Sequence, residues 1–138
     1  MNRWLFKTEP SAYSFDQLRA DKRTTWDGVK NPLALKHLGS VRRGDAVLVY
    51  HTGGEKAVVG VARAAGDPYP DPKKKDAKLL VVDLEAVKPL SQPVSLAAIK
   101  ASGKFAGFDL VRLPRLSVMP VTPEQAAEIE KMAERRKP

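Results

Sequence analysis

Aromatic side chains that stand next to polar ones are the feature of this sequence that could support chemistry. Trp26 lies between Thr25 and Asp27 in a polar stretch predicted to be a loop, and Tyr50 lies at the end of a predicted strand. Lys7 ends the first predicted strand and could offer its charge to a phosphate or a base carbonyl. Recognition of a nucleobase needs flat faces for stacking and fixed donors or acceptors for the base edge. These residues therefore predict a base-binding site, although Trp26 and Tyr50 also fit a core and Lys7 a solvated surface.

Catalytic and metal-binding patterns are weak by comparison. The chain has no cysteine and two histidines, so neither a thiolate nucleophile nor a convincing zinc site is expected. His37 lies near the end of a predicted helix and is expected to be structural. For His51 two roles are left open, that of a site residue and that of a hydrogen-bonding residue at the end of a strand. Glu9 and Asp27 could form an acid–base pair, but no spacing requires them to meet. We therefore expect no catalytic residue, no metal and no cofactor.

Composition indicates an ordinary globular domain with a polyanionic partner. The 138 residues are 43% hydrophobic and 29% charged, and the net charge is +8. A basic balance of this size favours nucleic acid through phosphate contacts and counterion release. The run 73–75 of three lysines is either a solvated loop or a backbone contact. No apolar run fits a signal peptide or a membrane span, so a cytoplasmic protein with no membrane partner is expected.

Hydrophobic runs and turn signals divide the chain into alternating strands and helices. Strands are predicted over residues 3–7, 46–51, 56–64, 79–87 and 115–121, and helices over about 15–20, 32–39, 96–102 and 123–135. The predicted helix caps are Ser14, Asn31, Ser95 and Thr122, with capping boxes at the first and last of these. The apolar face of the last helix, residues 126, 129, 132 and 133, is expected to pack. The prolines at 68, 70 and 72 exclude a central strand there.

The predicted order of elements is β-α-α-β-β-β-α-β-α, which gives one mixed sheet with helices around it, in an α+β domain spanning residues 1–138. Hairpin-length turns join consecutive strands, and the pair 46–51 and 56–64 is the clearest hairpin. A curled, partly closed antiparallel barrel is therefore the expected architecture.

Five blocks of residues, in register along the chain, carry a family likeness. They are WLFKTEP at 4–10, WDGVKN at 26–31, VYHT at 49–52, AGDPYPDP at 65–72 and RLSVMPV at 115–121. Together they resemble the EVE domain family, which is related to YTH and ASCH domains. The resemblance implies a PUA-like curled mixed β-barrel with surrounding short helices. The sequence departs from the usual family pattern at Pro32, Val49 and Thr52, and its loop after Pro72 is shorter.

The resemblance also implies a function, the recognition of a modified base such as a methylated or hydroxymethylated cytosine, flipped out of DNA or RNA. Trp26 is then the stacking face, and Asn31 and the Asp27 backbone contact the base edge. The ligand-binding residues implied in this way are Lys7, Thr8, Glu9, Trp26, Asp27, Asn31, Tyr50, His51, Thr52, Arg115 and Ser117.

Two other functions stay open from the sequence. One is a nuclease or base-modifying enzyme in which Lys7, Glu9 or His51 acts. The other is a sensor of a free nucleobase-like small molecule, whose binding would depend little on salt.

Overall fold

The computed structural model describes residues 2–134 and contains a mixed sheet flanked by short helices. The strands are β1 (Arg3–Thr8), β2 (Arg23–Trp26), β3 (Ala46–His51), β4 (Ala57–Ala64), β5 (Tyr69–Pro70), β6 (Leu80–Ser95) and β7 (Val118–Val121). The helices are α1 (Phe15–Asp21), α2 (Pro32–Gly39), α3 (Leu96–Ser102), α4 (Asp109–Arg112) and α5 (Pro123–Glu134). The predicted end of the last helix at Arg135 lies outside the described residues.

Strand β1 lies inside the sheet, whose order is β2-β6-β4-β3-β1-β7, with β5 paired to β6. It runs parallel to β3 and antiparallel to β7. The sheet is therefore mixed, as predicted, but the parallel pair contradicts the prediction of an antiparallel barrel whose consecutive strands are joined by hairpin-length turns. A parallel pair needs a crossover, and the segment containing α1, β2 and α2 supplies it. The predicted β3–β4 hairpin is confirmed.

The sheet curls so that β2 and β1 face each other although three strands separate them in the sheet order. The Phe6 ring of β1 lies 5.7 Å from the Trp26 ring of β2. Trp4, Leu5 and Phe6 are all buried, because both faces of this inner strand are covered. The Trp4 indole donates to the buried carboxylate of Asp45 at 3.0 Å, which satisfies its one polar group inside the core.

Local hydrogen bonds begin the helices where the sequence predicts. Ser14, Asn31 and Ser95 each accept a backbone N–H three residues later. At α5 the capping box is complete, since Thr122 and Gln125 each accept from the other's backbone N–H. The box predicted at α1 is half formed, because the Gln17 side chain donates to Asp21 instead of reaching back. The α5 face predicted to pack is buried or half-buried.

Several predicted element boundaries are corrected by the structure. Residues 23–26, predicted as a polar loop, form strand β2 against residues 82–85 of β6. Strand β6 continues to Ser95, past its predicted end at 87, and the final strand begins at Val118 instead of 115. The short helix α4 was not predicted. The strand segments pair with residues distant in sequence, which a local pattern does not contain.

Candidate functional site

A cavity of about 550 Å³ opens where β1 and β2 end, within the range of ordinary ligand sites. It is lined by Lys7, Thr8, Glu9, Ala12, Tyr13, Thr24, Thr25, Trp26 and Asp27. We call it the base cavity, after the base-binding site that the sequence predicts. It brings together five of the predicted site residues, namely Lys7, Thr8, Glu9, Trp26 and Asp27, from two blocks that lie about twenty residues apart in sequence.

The chain folds one wall of the base cavity through a turn directly after β1. The backbone N–H groups of Ala12 and Tyr13 both donate to the carbonyl of Glu9 at 2.9 Å. The Thr8 hydroxyl donates to the Tyr13 carbonyl at 2.7 Å. The Thr8 carbonyl accepts the Thr52 N–H from the β3–β4 turn at 2.9 Å. The turn therefore holds the half-buried Tyr13 beside the end of β1.

Two aromatic side chains, Trp26 and Tyr13, form the flat part of the wall. Their rings meet edge to face, with centroids 6.4 Å apart and planes at 87°. Trp26 is 8% exposed, so it is a buried wall residue in a strand and not in the loop that was predicted. The Tyr13 hydroxyl donates to Asp21 at 2.9 Å, and burial raises the pKa of this phenol. The phenol is consequently neutral at physiological pH.

Lys7 places an ammonium group at the cavity wall. Its Nζ donates to the Pro114 carbonyl at 2.8 Å and lies 5.6 Å from the centre of the Tyr50 ring. Burial lowers the pKa of Lys7, because a half-buried ammonium is less well solvated than an exposed one. An ammonium has three donors, so those not used by Pro114 can serve a base carbonyl or ring nitrogen.

Glu9 adds an oriented carboxylate to the same wall. Its Oε1 accepts from the Ser11 hydroxyl at 3.1 Å, and its Oε2 accepts from the Thr52 hydroxyl at 3.3 Å. Gly53 has φ of +78°, and a Cβ at that position would lie 2.8 Å from Glu9 Oε2. The turn after β3 thus packs directly against the Glu9 carboxylate and helps to fix its position. A carboxylate is the acceptor that suits the exocyclic amino group of cytosine.

Four other predicted site residues surround the base cavity as supports. Tyr50 is 3% exposed and lies under the Lys7 ammonium, and burial raises its pKa. Thr52 orients Glu9, and the Ser117 carbonyl accepts the Lys7 N–H at 2.9 Å. His51 is buried, and both of its ring nitrogens have partners, the Phe15 N–H and the Glu55 carboxylate. The strand-end hydrogen-bonding alternative for His51 is therefore the one that the structure contains.

Asn31 and Arg115 lie in a different hollow. The Asn31 side-chain oxygen accepts the Ala34 N–H at 3.0 Å as the cap of α2, so the cap alternative is confirmed. Both residues line a groove that shares no lining residue with the base cavity. The prediction that Asn31 contacts the base edge is not supported by this arrangement.

Four lining residues were missed from the sequence: Ala12, Tyr13, Thr24 and Thr25. Tyr13 follows a turn-prone stretch, and nothing local indicates that this turn folds back beside β1. Thr24 and Thr25 precede Trp26 and are β-branched, which was a signal for a strand. The Thr25 hydroxyl donates to Asp83 of β6 at 2.9 Å.

Metal-binding clusters and membrane-spanning helices are absent from the described part of the chain. Residues 2–134 contain no group of three or more His, Asp or Glu side chains placed to hold a metal ion. Over the same range, none of the helices has the length and apolar character needed to cross a bilayer. Glu9 and Asp27, the carboxylates considered above for acid–base chemistry, both line the base cavity.

Comparisons with known proteins agree with this fold. A family model described as EVE domain matches residues 2–132. An NMR structure of a protein from Rhodopseudomonas palustris is 41% identical, with TM-score 0.91, and the match covers 96% of this chain and 93% of that one. Human thymocyte nuclear protein 1 is 27% identical over 88% of this chain and 69% of its own length.

The fold also matches a crystal structure of human THYN1 protein in complex with 5-methylcytosine containing DNA. Identity there is 24% and the TM-score is 0.89, with 99% of this chain and 100% of that chain covered. The predicted family resemblance and the predicted PUA-like α+β fold are both confirmed.

Proposed function

We propose, from the membership of this chain in the EVE domain family, that it binds a modified base flipped out of nucleic acid, without changing that base. A methylated or hydroxymethylated cytosine is the proposed ligand class. The observation that carries the proposal is the base cavity itself, which combines two aromatic rings with an ammonium donor and a carboxylate acceptor. The human relative in complex with 5-methylcytosine containing DNA supports the same ligand.

The polar groups of the base cavity suit cytosine in particular. The cytosine edge presents an amino donor beside a ring nitrogen and a carbonyl, both of which are acceptors. Glu9 can accept from the amino group, and Lys7 can donate to either acceptor. Thymine or uracil would place a carbonyl against the carboxylate, which is unfavourable. In this proposal Glu9 and Lys7 make the hydrogen bonds to the base edge that were predicted for Asn31.

The proposed partner is DNA or RNA, and the net charge of +8 supports salt-sensitive contacts to either. The cytoplasm is the proposed place of action. Val49, one departure from the usual family pattern, is fully buried beside Tyr50. Thr52, another departure, keeps the hydroxyl that orients Glu9. These changes therefore bear on the support of the cavity more than on its polar groups.

A second candidate, a nucleic-acid-processing enzyme, is favoured by one observation, the presence of Glu9 and Asp27 in the same cavity. His51 does not add to it, because both ring nitrogens are engaged and the side chain is buried. Incubation of end-labelled DNA and RNA with the protein separates the candidates. Unchanged substrate supports binding alone, and cleaved or altered substrate contradicts it.

The test of the binding proposal is a titration of fluorescent DNA and RNA oligonucleotides at two salt concentrations. Each carries one central cytosine that is unmodified, methylated or hydroxymethylated. We expect the affinity for every oligonucleotide to fall with salt, because phosphates are shared by all of them. The ratio between modified and unmodified cytosine should stay constant, because the methyl or hydroxymethyl group by which they differ is uncharged and releases no counterion. Equal affinity for all three bases would contradict the proposal.

Variants of the aromatic wall make this test specific. Tyr13→Leu should weaken binding of the preferred oligonucleotide by about 5- to 150-fold, the effect of losing one stacking face worth about 1–3 kcal/mol. Tyr13→Phe is the matched control, since it keeps the ring and removes only the hydroxyl, with its bonds to Asp21 and Thr24. Trp26→Phe is the suitable change at the second ring. Alanine at this buried position would cost about 3–5 kcal/mol of stability and confuse unfolding with lost binding.

A further inference from the structure

A second hollow, of about 340 Å³, lies between the start of α2 and the segment before β7. It is lined by Asn31, Leu33, Leu113, Pro114, Arg115 and Leu116, and we call it the leucine groove. Leu33 is 40% exposed, and Val87 is the other large apolar side chain that is exposed to this degree among residues 2–134. The leucine groove therefore presents apolar surface to solvent beside one cation.

The leucine groove adjoins the base cavity. Lys7, which lines the base cavity, donates from Nζ to the carbonyl of Pro114, which lines the groove, at 2.8 Å. On the other side, the short segment from Asp27 to Asn31 passes from one hollow to the other. A nucleic acid strand that delivers a base to the cavity must continue past its rim, because the flipped base stays attached to its neighbours.

The charges of the leucine groove suit that strand. Arg115 is exposed, and none of the ion pairs found within residues 2–134 includes it. Among the residues that the structure describes, no carboxylate lines the groove. The Asn31 oxygen is occupied by the Ala34 N–H, which leaves its NH₂ group as a donor. One guanidinium and one amide donor above an apolar floor match a phosphate attached to a sugar and a base ring.

We propose that the leucine groove binds the nucleotide next to the base held in the base cavity. The phosphate lies on Arg115, and the sugar and base ring lie against Leu33 and Pro114. This inference rests on the proposed function and adds a second subsite to it. Contacts to a flanking nucleotide set sequence context in proteins that bind a flipped base, so this groove would determine which neighbour is preferred.

The test compares a ligand that has no neighbour with one that does. The probes are the free nucleoside 5-methyl-2′-deoxycytidine and a single-stranded DNA oligonucleotide with one central 5-methylcytosine. Leu33→Asp and Arg115→Gln are the groove variants. Val87→Asp and Arg43→Gln are matched controls, since they make the same chemical changes at exposed positions outside both hollows. The melting temperature of each variant is measured first to establish that it folds.

We expect both groove variants to lower the affinity for the oligonucleotide and to leave the affinity for the nucleoside unchanged. Leu33→Asp should cost about fivefold, since it removes apolar contact and adds a charge that repels phosphate. Arg115→Gln should also reduce the slope of log affinity against log salt by about 0.7, the effect of one lost phosphate contact on a single strand. The two control variants should change the affinity for either ligand by less than the groove variants change the affinity for the oligonucleotide.

Three results would overturn the inference. If both groove variants keep the wild-type affinity for the oligonucleotide and its preference for modified cytosine, the groove does not bind the neighbouring nucleotide. The proposed function is unaffected by that result. Equal losses for nucleoside and oligonucleotide assign these residues to the base cavity instead. Wild-type protein without any preference for modified cytosine contradicts the proposed function, and the flanking subsite is rejected with it.

Discussion

His51→Ala should destabilise the fold while leaving the base affinity of the folded protein unchanged. The His51 Nε2 atom accepts the Phe15 N–H at 3.0 Å, so the proton of the neutral ring is on Nδ1 and is shared with Glu55 at 2.7 Å. Phe15 is the first residue of α1, and its N–H has no partner within the helix. His51 thus fastens the start of α1 to the end of β3.

The magnitude follows from that buried donor. Alanine would leave the Phe15 N–H unsatisfied inside the protein, which costs about 1–3 kcal/mol. For a chain of 138 residues, each kcal/mol lowers the melting temperature by about 3–4 °C, so a decrease of about 3–12 °C is expected. His51→Gln is the matched variant, because its amide oxygen can reach toward the same N–H. It should recover part of the loss.

Two measurements check this prediction together. Thermal unfolding followed by circular dichroism gives the change in melting temperature. Titration with the methylated oligonucleotide, well below the melting temperature of the variant, gives the affinity of folded protein. A melting temperature within about 1 °C of wild type, combined with an affinity loss of more than about tenfold, would refute the structural role. His51 would then contact the ligand.

Two further predictions concern packing and alkaline pH. Gly60→Ala should destabilise the protein by about 1–3 kcal/mol, because the new Cβ would lie 2.4 Å from the Phe15 ring; Gly54→Ala, with open space, is the control in the same thermal assay. Burial raises the pKa of Tyr50 above the unfolded value of 10.0, so its contribution to stability is present below pH 10.0 and is lost as pH rises through the folded pKa. Burial lowers the pKa of Lys7 below the unfolded value of 10.5, so between the folded pKa and pH 10.5 the unfolded chain binds more protons and stability rises with pH. Denaturant unfolding at increasing pH should consequently show a steeper alkaline loss for Lys7→Met than for wild type, and parallel curves would count against these assignments.

Much of the local structure follows from the sequence alone. The helix caps at Ser14, Asn31, Ser95 and Thr122 are correct because a cap needs only a hydrogen bond to a residue three positions later. Strands β1, β3 and β4 are correct because their apolar runs are buried wherever they pair. The family blocks likewise grouped Lys7, Thr8, Glu9, Trp26 and Asp27, and these five residues line one cavity.

The tertiary structure decided which of the other polar residues line the base cavity and which hold the fold. The Ala34 N–H occupies the Asn31 oxygen as a helix cap and the Phe15 N–H occupies His51 Nε2, so both residues hold the fold, while the Asn31 NH₂ group remains a donor. Tyr13 enters the base cavity through a turn against β1, and Trp26 is a strand residue because β6 pairs with it from more than fifty positions away. Pairing at this separation depends on the packing of the whole sheet. A single sequence carries the preference of each segment but not the choice of its partner.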